Sequence, residues 1–583
     1  DLDLDLEADL GIDTVKQAET FAAIRGQYDI PRDENLKLRD YPSIAHAIQF
    51  VRERRPELGT ASSGAGQTGS VAGDTTEAGE DDEEGARPEV PRGDMTAAQA
   101  LPRRVPRPLL RPALELCKPT GVTLDEHTRV LLMPDEGGVG KALAARLEKR
   151  GVTVLTPQPD CDRPALQAQL EQWLQEGPIQ GVYWLPALDI EAEVAEMDLA
   201  QWRAALERRV KLLYVTMRTL FPLFDSAAAF LLVATRLGGV HGYDDGGAIA
   251  PMGGAVTGFA KAFARERPAA LVKALDFANS RKTASLADVL IEEALSDPGC
   301  VEIGIADDRR WGIAATQQQL AEDGEGLSLD SDSVFLVTGA AGSIVSAITA
   351  DLAANSGGTF YLLDLVPEPD PDDADLRRVN ADRDSLKRDI FERLKAQGER
   401  ATPAAVEKQL AVLERSAAAL AAIEAVQRAG GNCRYLQTDL TDSDAVAAAV
   451  AAVCAEQEHI DVLLHAAGLE ISHVLPDKTE REFDLVFDVK CDGWFNLLHA
   501  SGDMPLAAAV VFSSIAGRFG NMGQTDYSAA NDLLCKMSAA MPDTRGIAID
   551  WTAWADIGMA SRGSIPEMMA RAGIDMLAPQ AGI

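Results

Sequence analysis

Twice along the chain, four consecutive apolar residues lead into a glycine-rich turn and then into a helical pattern. Val130-Leu131-Leu132-Met133 precedes Gly137-Gly138-Val139-Gly140, and Val334-Phe335-Leu336-Val337 precedes Gly339-Ala340-Ala341-Gly342. Further short apolar runs follow each. They are Val154-Leu155, Val182-Tyr183-Trp184-Leu185 and Phe230-Leu231-Leu232-Val233 in the first stretch, and Phe360-Tyr361-Leu362-Leu363, Val462-Leu463-Leu464 and Val510-Val511-Phe512 in the second. Short apolar strands alternating with helices imply a parallel sheet covered on both faces. The likeness extends to Arg209-Val210-Lys211-Leu212-Leu213 against Asp488-Val489-Lys490-Cys491-Asp492, and to Ala227-Ala228-Ala229 against Ala507-Ala508-Ala509.

We therefore expect an α/β protein with two Rossmann-like, doubly wound parallel-sheet subdomains made by internal duplication, at residues 106–325 and 326–583. A length of 583 residues leaves room for more. Residues 1–54 show helical periodicity in Val15, Ala18, Ala22 and Ile24, then Ile44, Ala47, Ile48 and Val51, which predicts a small N-terminal helical bundle fragment. The opening Asp1-Leu2-Asp3-Leu4, without Met, reads as cut from something longer, and the C-terminus reads as ending before a final strand. Residues 55–105 are Gly, Ser, Thr, Ala and acid, including Glu80-Asp81-Asp82-Glu83-Glu84, and read as a flexible linker. Between the second and third strands of the second copy, a charged stretch at 366–429 exceeds the single crossover helix that the fold needs. It is expected to be an inserted helical hairpin.

The charge balance narrows the partners. With 91 acidic against 55 basic residues the formal charge is −36, which repels phosphate backbones and anionic headgroups. Nucleic acid and membrane are thereby excluded, and no apolar run nears the length that spans a bilayer. No signal peptide opens the chain, and its seven cysteines form no CxxC pair, so a reducing cytoplasm is the expected location and neither disulfides nor a metal site are expected.

Chemistry concentrates in the second copy. Thr338-Gly339-Ala340-Ala341-Gly342 turns into a helix opening with Ser343 and Ile344, whose amides would face a dinucleotide pyrophosphate. The usual third glycine is Val345, so a plain packing turn remains an alternative on this motif alone. The second strand ends in Asp364, where an inward carboxylate would accept from the ribose hydroxyls and repel a 2′-phosphate. Asp439-Leu440 closes the third strand, His465-Ala466-Ala467-Gly468 the fourth and Ser513-Ser514-Ile515-Ala516-Gly517 the fifth. Tyr527 follows Ser514 by thirteen residues, and Asn531 lies four further on, sharing its helix face.

These residues resemble the short-chain dehydrogenase/reductase superfamily. Phe512-Ser513-Ser514-Ile515-Ala516-Gly517, Gly523-Gln524-Thr525-Asp526-Tyr527-Ser528-Ala529-Ala530-Asn531 and Asp550-Trp551-Thr552-Ala553-Trp554 are similar to the ketoreductase domains of type I polyketide and polyunsaturated fatty acid synthases. The resemblance implies that Tyr527 donates a proton to a carbonyl oxygen held by Ser514 and that Lys490 is the cation lowering the tyrosine's pKa. Free-standing reductases carry the lysine four residues after the tyrosine; here that place is Asn531, and the synthase type exchanges the two. Singly, the serine pair could be a helix cap, Tyr527 a packed aromatic and Lys490 a solvated charge. His465 is expected to pack or hydrogen-bond near the cofactor.

What the resemblance implies overall is reduction of a β-ketoacyl thioester, carried on the phosphopantetheine arm of an acyl carrier protein, within a larger synthase. Other synthase domains would be partners, and a homodimer would form through the parent. The family implies NADPH, whereas Asp364 without an arginine directly after it implies NADH. Rival readings are a dehydrogenase of small free alcohols and a non-catalytic docking scaffold with Val345 blocking the cofactor. Leu469-Glu470-Ile471-Ser472 lacks the Leu-Asp-Asp signature of one stereochemical class, and Phe519 replaces the tryptophan of the other.

The first copy lacks this set. Ala234 stands where Ser514 would align, Tyr243 has Gly247 four residues later, and Lys211 alone survives. It is expected to be a structural subdomain whose Gly137 and Gly140 serve packing. At the front, Leu10-Gly11-Ile12-Asp13-Thr14-Val15-Lys16 resembles the second helix of acyl carrier proteins, with Thr14 in place of the modified serine, so no phosphopantetheine is expected there.

Overall fold

The computed structural model describes residues 91–279, 282–318, 326–398, 400–502, 504–541, 544–561, 565–571 and 573–583. The carrier-like reading of residues 1–54 and most of the linker lie outside the described residues. The chain divides into two compact units, one containing Pro369–Ala418 and the other containing Val90–Glu368 with Ala419–Ile583.

The larger unit holds two sheets. The first comprises β1 (Arg104–Leu110), β2 (Arg129–Met133), β3 (Thr153–Leu155), β4 (Gly181–Trp184), β5 (Phe230–Thr235), β6 (Leu271–Phe277), β7 (Glu302–Ala306) and β8 (Arg309–Gln317), in the order β1-β8-β7-β6-β5-β4-β2-β3. From β3 to β7 the pairing is parallel, and β4, β5 and β6 are buried along their whole length, as strands covered by helices on both faces must be. Antiparallel β8 and β1 finish one edge.

The second sheet comprises β9 (Val334–Thr338), β10 (Thr359–Asp364), β11 (Asn432–Gln437), β12 (Ile460–His465), β13 (Leu506–Ser514) and β14 (Arg545–Trp551). All pairs are parallel, and the order β11-β10-β9-β12-β13-β14 reverses direction at β9. In such a sheet the crevice beyond the strand ends at the reversal is where ligands bind.

Three helices join the halves: α1 (Gly253–Glu266), α2 (Glu480–Ser501) and α3 (Thr525–Ala539). α1 lies against α3 so closely that a Cβ at Gly258 would come 2.3 Å from the Ser528 carbonyl oxygen, and one at Gly254 2.7 Å from that of Asp532. No side chain fits at either position. α2 faces Leu199–Leu220, where Trp202 Nε1 and Arg203 Nε donate to Asp492 at 3.0 and 2.7 Å, and the Tyr214 and Phe483 rings meet at a tilt of 33° with centroids 4.5 Å apart. One apolar core, from Leu131 to Met537, runs continuously through both halves.

Two expectations are corrected. The segment read as linker to residue 105 already carries a helix at Met95–Ala100, because the Asp94 side chain caps it by accepting from Thr96 N at 2.8 Å, and β1 starts at Arg104. The insertion is three helices, Ala374–Ala381, Arg383–Ala396 and Pro403–Arg428, and not a hairpin. Asp382 ends the first and caps the second, and Leu386, Ile390, Leu394, Val406 and Leu410 give the insertion a small core of its own.

Candidate active site

β13 ends at Ser514, whose hydroxyl accepts from Ala516 N at 3.1 Å and so caps the short helix Ile515–Phe519. α3 then brings Tyr527 and Asn531 one turn apart, with Asn531 Nδ2 donating to the Tyr527 carbonyl oxygen at 2.7 Å. Lys490 comes from the middle of α2. Its ammonium donates to the Phe512 carbonyl oxygen at 2.8 Å and lies 5.7 Å from the centre of the Tyr527 ring. Two glycines make room: a Cβ at Gly468 would meet Lys490 Cε at 2.7 Å, and one at Gly517 would meet Asn531 Cβ at the same distance. Ser514, Tyr527, Lys490 and Asn531, scattered in sequence, are thus brought together at the C-terminal ends of the strands.

Burial governs their protonation. It pushes the Tyr527 phenol up to about 12, against hydrogen bonding by Asn531 and Ser514, while the nearby Glu470 carboxylate adds to the rise. It pulls the Lys490 ammonium down to about 8. The Asn531 Oδ1 is buried without a protein partner, an acceptor left open beside the phenol.

The glycine-rich turn fits a dinucleotide. Gly339 has φ +69° and approaches Ala467 so closely that a Cβ would stand 2.8 Å from its Cα. The following helix, Ser343–Ser356, starts at Gly342 with no side-chain cap, and Gly342 and Ser343 are exposed. Val345 is buried in the core with Phe335 and Val337, its Cγ2 3.5 Å from where a Cβ on Gly342 would stand. Ser343 Oγ accepts from Gly558 N at 2.9 Å, and Ile344 touches the same loop. Asp364 accepts from Ala341 N at 3.1 Å and from Leu365 N at 2.8 Å, beside the turn. Asp439 lies exposed past the end of β11, accepting from Thr441 N at 2.9 Å, and Leu440 is buried under Gly493.

Thr338 and His465 are fully buried. The Thr338 hydroxyl meets His465 Nδ1 at 2.9 Å and accepts from Ala466 N and Ala467 N, while His465 Nε2 meets the Lys490 carbonyl oxygen at 3.0 Å. Burial holds the imidazole down to about 3, so it stays neutral and braces β9, β12 and α2.

The first copy is closed by its own residues. Asp135 Oδ2 and Oδ1 accept from Val139 N at 3.0 Å and Gly140 N at 2.6 Å, taking the place that an anion would occupy at the helix start. Lys211 pairs with Asp488 at 2.7 Å, and Tyr243 lies under Lys536 Nζ, 3.4 Å from the ring centre. Two buried pairs escaped the sequence reading: Lys478–Asp526 at 2.8 Å, beside Tyr527, and Lys261–Asp532 at 2.8 Å, beside Asn531. The available signal was a single lysine in an apolar helical run, Phe259-Ala260-Lys261-Ala262-Phe263.

Fold and site together define a reductase of the short-chain dehydrogenase type joined to a second half without the catalytic set. Residues 333–556 match the family described as "KR domain". The chain is 34% identical over 163 residues to "Phenolphthiocerol synthesis polyketide synthase type I Pks15/1" of Mycobacterium marinum, covering 27% of this chain and 8% of that protein. It is 27% identical over 263 residues to a polyunsaturated fatty acid synthase polypeptide of Thraustochytrium sp., covering 44% of this chain and 9% of that protein. The chain thus spans under a tenth of the length of these relatives. Among solved structures, an N-terminal ketoreductase from the macrolactin assembly line superposes with a TM-score of 0.59 at 17% identity, over 82% of this chain and 87% of that one. That likeness concerns the fold and includes the half that lacks counterparts of Ser514 and Tyr527.

Proposed function

We propose that this chain reduces a β-ketoacyl thioester to the β-hydroxyacyl thioester, within a larger synthase that presents the substrate on the phosphopantetheine arm of an acyl carrier protein. The convergence of Ser514, Tyr527 and Lys490 carries the reading, because a carbonyl being reduced needs a proton donor and a hydrogen bond on the oxygen where charge grows. The turn Gly339–Gly342, with Ser343 and Ile344 at the helix start, would hold the pyrophosphate of a nicotinamide dinucleotide, and Asp364 would stand by its ribose. When bound, that group supplies the hydride that attacks the β-carbon.

Ser514 and Tyr527 both hydrogen-bond the ketone oxygen. As the carbon–oxygen double bond becomes single, the Tyr527 proton passes to that oxygen and leaves a phenolate. Burial alone makes this phenolate costly, and the Lys490 ammonium offsets that cost. Asn531 fixes the first turn of α3 through the Tyr527 carbonyl, so the phenol keeps its aim. Asp364 favours NADH, and the family resemblance favours NADPH.

The test is a reductase assay on a short β-ketoacyl thioester with each cofactor, wild type beside Tyr527→Phe. Turnover abolished in the variant supports the reading; equal rates overturn it. No saturable cofactor quenching of Trp551 and Trp554 fluorescence would favour a docking scaffold instead.

A further inference from the structure

Two loops flank the phenol. One runs from Gly468 to Lys478 after β12, and the other from Phe519 to Gln524 before α3. They touch through His473 N, which donates to the Gly523 carbonyl oxygen at 3.0 Å, and through Gln524 Nε2, which donates to Ser472 Oγ at 3.1 Å. The first loop carries Glu470, the carboxylate that acts on Tyr527.

Both loops rest on the half that has no catalytic groups. At the end of α1, Glu266 Oε2 accepts from Leu475 N at 2.9 Å and Oε1 accepts from Gly523 N at 3.1 Å. Gly520, with φ +72°, lies so close that a Cβ would meet the Lys261 carbonyl carbon and oxygen at 2.3 Å. Arg265 Nε donates to the Phe519 carbonyl oxygen at 3.2 Å, and the Tyr214 hydroxyl donates to that of Lys478 at 2.7 Å. Lys478 in turn donates to the Ile471 carbonyl oxygen at 2.7 Å and pairs with Asp526, next to Tyr527.

We infer that Glu266 is a positioning residue that fixes the spacing of the two loops, so that the non-catalytic half sets how the substrate enters and which face of its ketone meets the hydride. This rests on Tyr527 being the proton donor. A carboxylate is suited because it only accepts, with one oxygen for each amide. Glutamine has the same shape but a single acceptor oxygen, and its NH₂ cannot accept from an N–H. One loop must therefore lose its anchor in Glu266→Gln.

Hydrogen exchange tests this without turnover. In wild type the Leu475 and Gly523 amides exchange slowly, and in Glu266→Gln the segments 470–478 and 520–524 exchange about tenfold faster. With a short β-ketoacyl thioester the variant shows a KM raised about tenfold and an eroded enantiomer ratio in the product, while cofactor affinity stays within about twofold. A merely destabilised protein would lose active molecules, lowering kcat with KM and enantiomer ratio intact. Free exchange of both amides in wild type, or unchanged exchange and enantiomer ratio in the variant, overturns the inference. Protected amides in a wild type inactive on the thioester would overturn the proposed function and leave the clamp standing.

Discussion

The Lys490 ammonium lies 5.7 Å from the centre of the Tyr527 ring, held there by the Phe512 carbonyl oxygen. With its pKa lowered to about 8 by burial, it is charged at neutral pH and loses its proton as pH rises through that value. Reduction at saturating cofactor should therefore be steady below pH 8 and decline above it. Lys490→Met should lower kcat about a hundredfold at pH 7 and erase that break in the rate profile.

The same burial makes a stability prediction of opposite sign. Lys490 has an ordinary value of 10.5 in the unfolded chain and about 8 in the fold, so the unfolded state binds the extra proton between those limits. Its contribution is most unfavourable below pH 8 and is relieved as pH rises to 10.5. Urea unfolding across this window should show wild type gaining stability relative to Lys490→Met, by at most about 3 kcal/mol. Parallel curves would mean that the lysine is not desolvated.

Tyr527→Phe keeps the ring and removes the proton. kcat should fall about 10²- to 10⁴-fold, and Ser514→Ala, which removes one of two hydrogen bonds to the ketone oxygen, about 10²-fold. Cofactor titration by fluorescence should be unchanged in both. A variant that also loses cofactor binding would point to a disturbed fold.

Strand patterns, glycine turns and the shared helix face of Tyr527 and Asn531 were legible because each is local: period, turn chemistry and i, i+4 spacing follow from a few neighbouring residues, whereas Ser514 and Lys490 came from the family resemblance. The cap at Asp94, which starts a helix inside an acidic Gly-Ser stretch, shows where composition misleads. For His465 the expectation of packing or hydrogen bonding left its direction open, since a strand-ending histidine can face either the crevice or the core, and its contacts with Thr338 and the Lys490 carbonyl turn it inward. Nor could pattern reveal Glu266 or Lys478, whose partners lie on another half or another loop.

Lys261 and Asp532 join α1 to α3 at 2.8 Å, both buried, with Lys536 Nζ 3.5 Å from the other carboxylate oxygen and the Thr257 hydroxyl donating as well. Asp532→Asn removes the anion that Lys261 and Lys536 share and leaves Glu302, 3.5 Å from Lys261, as the remaining buried carboxylate beside them. Urea denaturation should register a loss of about 3–5 kcal/mol, while the apolar pair Lys261→Met with Asp532→Leu loses less than the sum of its single changes. Additive losses would show that the two do not interact.

Asp364 ends β10 with its carboxylate beside the glycine-rich turn, accepting from Ala341 N at 3.1 Å. A carboxylate at the adenosine ribose attracts hydroxyls and repels a 2′-phosphate, so Asp364→Ser should shift the ratio of kcat/KM for NADPH over NADH upward by about tenfold. Because the change also removes the acceptor for Ala341 N, both absolute rates will fall. The ratio is the informative quantity, since a loosened turn weakens both cofactors alike and only a lost repulsion separates them. An unchanged ratio would remove Asp364 from the ribose and leave it the single task of holding the turn.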